Sequence, residues 1–126
     1  MKREWLAAAL LAALVALATW HTLSISALTA DLTAALEQAE TFAEAEDWDR
    51  ARTVTEEAQS RWDRADFRLH VTLDHAVVDE VSVGFAETLE FLDLEERGEY
   101  SAANARLMER LALLGEMERP TLANLL

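Results

Sequence analysis

The polarity of this chain changes character once, near its start. From Trp5 to Trp20 no charged residue occurs, and Thr19 carries the single hydroxyl. Beyond that run, apolar residues fall into stripes at helical spacing, with acidic residues between them. As helix, Trp5–Trp20 spans about 24 Å, and continuation to Ile25 reaches about 31 Å. The hydrocarbon core of a bilayer is roughly 30 Å thick. Trp5 and Trp20 flank the run, where amphipathic rings favour the two interfaces. Lys2 and Arg3 precede it, and the next basic residue is Arg50. This pattern predicts a single-pass transmembrane anchor within residues 1–28 that meets the bilayer through residues 5–25. Its N-terminus is expected in the cytoplasm, with residues 29–126 displayed outside it. The alternative is a cleaved signal peptide, with an apolar core Leu6–Leu17 and the small-residue site Ala16-Leu17-Ala18. Cleavage near Ala18 would release a secreted soluble bundle. No Gly or Pro occurs before Gly84, which favours one uninterrupted helix over a cleavage segment.

Four stripes follow. In the first helix, expected to run on from the anchor to about Glu46, they are Leu28, Leu32, Ala35, Leu36, Ala39, Phe42 and Ala43. Asp31, Glu37, Gln38, Glu40 and Glu44 take its other face. Asp47 reads as the N-cap of a second helix beginning at Trp48. Its stripe is Ala51, Val54, Ala58, Trp62, Ala65, Leu69 and Leu73. Phe67–Leu73 also alternates as a strand would, but a lone strand has no partner here. Asp74 offers a cap for a third helix to about Arg97, lined by Val77, Val81, Phe85, Leu89 and Leu92. Gly84 beside that stripe suits a close helix approach, and Gly98 suits a left-handed stop. The fourth stripe, Tyr100, Ala103, Leu107, Leu111 and Leu114, predicts a helix from Glu99 that ends at Gly115. After Pro120, Leu122, Leu125 and Leu126 are expected to pack back on the bundle end.

The segment Glu46–Ala51 resembles Gly98–Ala103 at an offset of 52 residues, which pairs Trp48 with Tyr100 and Ala51 with Ala103. Each half reads as a helical hairpin with an acidic turn, an aromatic plug and a small residue three later. The turn is similar to that of tetratricopeptide repeats, although the offset departs from their 34-residue period. The predicted fold is all-α: a transmembrane helix followed by an up-down four-helix bundle made of two hairpins.

The formal net charge is −13, and from Thr29 onward 23 acidic and 9 basic residues give −14. Such a domain repels nucleic acid and anionic headgroups. Basic proteins, divalent cations or polycations are the charge-matched partners. The chain has no Cys, so disulfides and thiolate metal sites are excluded. No nucleophile elbow, P-loop or dinucleotide fingerprint occurs, so no enzyme activity and no cofactor are expected. The densest chemistry is His70, Asp74, His75 and Asp79, with Glu80 adjacent. His70/Asp74 and His75/Asp79 are each four apart, the spacing of helix-borne divalent-metal ligands. The alternative is that Asp74 caps the third helix and His75 bonds across the turn. Trp48 and Trp62, fourteen apart, share a helix face as core or binding residues. Tyr100 and Asn124 are further structural or interaction candidates. Glu44, Glu46, Asp47 and Asp49 cluster at a turn, but no Asp-x-Asp-x-Asp-Gly calcium loop is present.

Taken together, the Met1-Lys2-Arg3 start with its apolar run, Asp47-Trp48-Asp49, Trp62, Leu73-Asp74-His75, Asp79-Glu80-Val81 and the Glu118–Leu126 ending carry a family resemblance. The chain resembles the small bacterial membrane-anchored proteins classed as DUF4363, a domain of unknown function. The resemblance implies a Gram-positive source related to spore formers and a single-pass membrane location. It implies no activity. The expected role is a non-catalytic interaction or structural module that contacts another membrane or cell-surface protein.

Overall fold

The computed structural model describes residues 2–72 and 75–125, with side chains at 2–65, 69 and 75–116. Four helices make up the described chain: α1 (Lys2–Glu44), α2 (Trp48–Thr72), α3 (His75–Asp93) and α4 (Arg97–Leu125). No strand occurs among the described residues, so Phe67–Thr72 follows its helical stripe and not its alternation. Each helix packs on its sequence neighbours, and α4 closes on α1, which is the up-down four-helix bundle.

α1 is continuous over 43 residues, about 65 Å. Its two halves face different surroundings. Residues 2–18 are exposed on every side, whereas from Ile25 a stripe of Ile25, Thr29, Leu32, Leu36, Ala39 and Ala43 is buried. One helix is therefore long and apolar enough near its start to cross a membrane. Packing into the bundle begins at Ile25, a turn before the expected boundary at residue 28.

The hairpin links are nearly identical. In the first, Glu46 N–H donates to Ala43 O (3.0 Å) and Asp47 N–H to Phe42 O (2.9 Å). In the second, Glu95 N–H donates to Leu92 O and Glu96 N–H to Phe91 O, both at 3.1 Å. These are Schellman closures, with Glu46 (φ 61°) and Glu95 (φ 53°) in the left-handed position. Asp47 then caps α2 as expected, its Oδ1 accepting from Arg50 N–H at 3.3 Å.

Two expected stops are corrected. Gly98 does not terminate a helix; it lies in the first turn of α4 without positive φ. α3 ends at Asp93 because the link must bring Leu92 and Tyr100 into one packed cluster. Gly115 does not end α4, which continues to Leu125. Instead Gly115 faces α1: a Cβ there would stand 3.0 Å from Thr29 Oγ1. Gly84 performs the close approach expected of it, since a Cβ there would lie 2.9 Å from Leu107 Cδ1. Leu122, Leu125 and Leu126, expected to pack back, have side chains outside the described residues.

The buried positions repeat at 49 residues (Glu46 to Glu95), not at the expected 52. Thr29, Leu32, Leu36, Ala39 and Ala43 recur as Val78, Val81, Phe85, Thr88 and Leu92. Ala51, Thr55, Ala58, Trp62 and Ala65 recur as Tyr100, Asn104, Leu107, Leu111 and Leu114. The halves are thus pseudo-equivalent hairpins. Their matched registers stack the core in layers: Ala43, Ala51, Leu92 and Tyr100 at the linked end, then Ala39, Thr55, Thr88 and Asn104. Below these lie Leu36, Ala58, Phe85 and Leu107, and then Leu32, Trp62, Val81 and Leu111.

A left-handed Glu costs about 1–2 kcal/mol that Gly avoids. Glu46→Gly and Glu95→Gly are therefore each expected to raise the melting temperature, by about 4 °C. Gly98→Ala should also stabilise, because its helical backbone gains about 1 kcal/mol of propensity and meets no neighbour. Thermal melts of the three variants check this. A loss of stability in Gly98→Ala would place the left-handed stop at Gly98 after all.

Candidate functional site

The expected cluster at the α2–α3 junction is only partly described. His75 and Asp79 stand one turn apart on α3, both exposed. Asp74 and the His70 side chain lie outside the described residues. Among the described residues, no three His, Cys, Asp or Glu side chains gather as metal ligands would. Asn124 is on the helical backbone of α4, but its side chain is outside the described residues. Of the aromatic candidates, Trp48 is half-buried against the Ala43/Tyr100 cluster. Trp62 is fully buried and its indole N–H donates to Ser82 Oγ at 3.0 Å. Trp62 therefore ties α2 to α3 within the core.

The most specific chemistry lies where polar residues interrupt the core. Thr55, Thr88, Tyr100 and Asn104 are all 0% exposed. Thr55 Oγ1 donates to Ala51 O at 2.8 Å, satisfying itself within its own helix. Asn104 Nδ2 reaches across to α1, donating to Leu36 O (3.1 Å) and to Glu40 Oε2 (3.0 Å). Ser101 Oγ donates to Glu40 Oε1 at 2.6 Å. One half-buried carboxylate thus holds two α4 side chains and fixes the register of α4 on α1. Among the described residues, Thr88 Oγ1, Tyr100 Oη and Asn104 Oδ1 have no hydrogen-bond partner. An unsatisfied buried polar atom costs about 1–3 kcal/mol.

Burial, helped by the nearby Glu40 charge, pushes the Tyr100 hydroxyl above its ordinary range. The phenol therefore stays neutral in the folded chain at pH values where an unfolded one ionises. Thr55, Thr88, Tyr100 and Asn104 are enclosed between α1–α4, and Glu40 and Ser101 at the edge of the layer are half-buried.

The stripes put Thr88 beside the third stripe and do not single out Asn104, yet both are buried at one level. A signal existed: Tyr100, Asn104, Leu107 and Leu111 follow a four-three-four spacing, which puts Asn104 on the buried stripe ahead of Ala103. A shallow groove between α1 and α4 was also unforeseen. Ser26, Ala30, Thr33, Ala34, Ala112 and Gly115 line it, with Glu37 and Glu116 at its edge.

Tyr100 is the single tyrosine, so phenolate absorbance near 295 nm reports it alone. Its raised pKa means that the unfolded chain releases this proton first as pH rises. The stability it contributes is complete below about pH 10 and is lost above that value. The expected titration is therefore flat through pH 10, with phenolate appearing only as helical circular dichroism falls. Tyr100→Phe should remove the tyrosine part of this alkaline loss. An ordinary titration near pH 10 in the folded chain would show the hydroxyl to be solvated.

Neither a curated protein nor a solved structure matches the chain. A family model described as a domain of unknown function matches residues 19–125. That match covers all four helices apart from the first half of α1. With the bundle and its matched hairpins in view, the chain belongs to the DUF4363 family.

Proposed function

We propose that this protein is a single-pass membrane protein in which the first half of α1 anchors a helical bundle outside the cytoplasm. There the bundle serves as a non-catalytic interaction or structural module for another membrane or cell-surface protein. One observation carries the reading: the uncharged run Trp5–Trp20 of α1 leaves its large apolar side chains uncovered. Trp5 is 80% exposed, Leu6 71% and Leu10 64%. A soluble bundle leaves few such patches, and this one surrounds the helix on all sides. Lipid covers it without needing a protein partner, and a helix satisfies its own backbone there.

Lys2 and Arg3 support a cytoplasmic N-terminus. The charge of −14 from Thr29 onward supports holding the bundle clear of anionic headgroups. The polar layer, whose Thr55, Thr88, Tyr100 and Asn104 are buried, supports a role in holding the helices together over catalysis.

The test uses the full chain expressed in a bacterial host, followed by fractionation, external protease treatment and N-terminal sequencing. The expected product is an intact Met1 in the membrane fraction, with the bundle digested from outside. A new terminus near Thr19 in the medium would instead make this a secreted bundle and overturn the anchor. Leu11→Arg with Leu14→Arg should deplete the membrane fraction, since each central Arg opposes insertion by about 2.5–3.5 kcal/mol.

A further inference from the structure

We propose that the linked end of the bundle, farthest from the exposed half of α1, is a separately opening unit bounded by the Thr55/Thr88/Asn104 layer. The core is not one cluster. Ala43, Ala51, Leu92 and Tyr100 form a small one, with Phe42, Trp48, Leu89 and Phe91 packed on it. Thirteen buried residues from Ile25 to Leu114 form a larger one, which includes Trp62 and Phe85. Ala39, Thr55, Thr88 and Asn104 occupy the level between them and belong to neither. Apolar contact is therefore interrupted at that level, and local opening there need not disturb the larger cluster.

Three further features lower the cost of opening this end. Thr88 Oγ1, Tyr100 Oη and Asn104 Oδ1 are unpartnered when it is closed and gain water when it opens. Two of the four central side chains are Ala, so this end buries less apolar area than the thirteen-residue cluster. Both links hold a Glu in the left-handed conformation, and that strain relaxes when they loosen. The contacts that keep the end shut cross between hairpins. They include Asn104 with Leu36 O and Glu40, Ser101 with Glu40, and the exposed Arg52–Asp93 pair at 2.7 Å. Exposed pairs of this kind contribute little. Opening uncovers Tyr100 and frees Phe42, Trp48 and Phe91, which makes an aromatic surface available only part of the time.

Native-state hydrogen exchange on the full chain in detergent micelles tests this. The amides of 53–55 and 102–104 report the linked end, and those of 58–62 and 107–111 report the larger cluster. The expected result is exchange about tenfold or more faster at the linked end, with weaker denaturant dependence. Thr88→Val keeps the side-chain shape and removes an unpartnered hydroxyl. It should slow linked-end exchange about tenfold and narrow the gap to the larger cluster. Simple fraying of helix ends would not respond to a substitution at this level. Equal rates and equal denaturant dependence in the two sets would overturn the proposal, as would a gap that Thr88→Val leaves unchanged.

Discussion

Everything in this structure depends on a change of face along α1. Over Trp5–Trp20 the helix is apolar all round, and over its second half it is apolar on one stripe. The change falls between Trp20 and Ile25, where the helix first meets α2. Ile25, Leu32 and Leu36 then enter the larger core cluster with Trp62, Phe85 and Leu107. No glycine or proline interrupts this run, and the exposed segment and the bundle share one continuous helix. With the first half placed in a bilayer as proposed, the bundle follows directly on the spanning helix.

The bundle itself is governed by a repeated register. Two hairpins, each closed by a left-handed Glu and a Schellman pair, present buried residues at matching heights. Such a repeat leaves open how the hairpins face one another. Polar contacts settle that question differently on the two seams. On the α4–α1 seam Asn104 and Ser101 meet Glu40, whereas on the α2–α3 seam Trp62 meets Ser82. Neither contact has an equivalent 49 residues away, so a hairpin that paired with its own copy would bury unmatched polar groups. A satisfied polar contact of this sort adds little net stability but penalises the wrong arrangement.

Much of this was legible in the sequence. The stripes gave the four helices, because 3.6-residue periodicity survives wherever one face is buried. Asp47 was readable as a cap because its carboxylate suits the free amides of a helix start. Trp62 was readable as a core residue from its place on the stripe. The helix stops were less legible. Gly98 and Gly115 looked like terminators from local preference, but packing outweighed preference at both. The link had to seat Leu92 beside Tyr100, and Gly115 was needed against Thr29. The 52-residue repeat matched similar side chains, while the structure matches heights in the bundle. Asn104 was hidden for the same reason, since Ala103 beside it is the more ordinary core residue. At the α2–α3 junction the third stripe leaves His75 and Asp79 on the exposed face of α3, where the structure has them.

The four tryptophans allow the placement of α1 to be measured directly. Variants that retain a single tryptophan are reconstituted as full chains in vesicles whose acyl chains carry bromine. An anchored α1 predicts quenched fluorescence for Trp5 and Trp20, and unquenched fluorescence for Trp48 and Trp62. Absence of quenching at Trp5 and Trp20 in vesicle-bound chain would contradict it. The exposed half of α1 would then have to find its cover in protein and not in lipid.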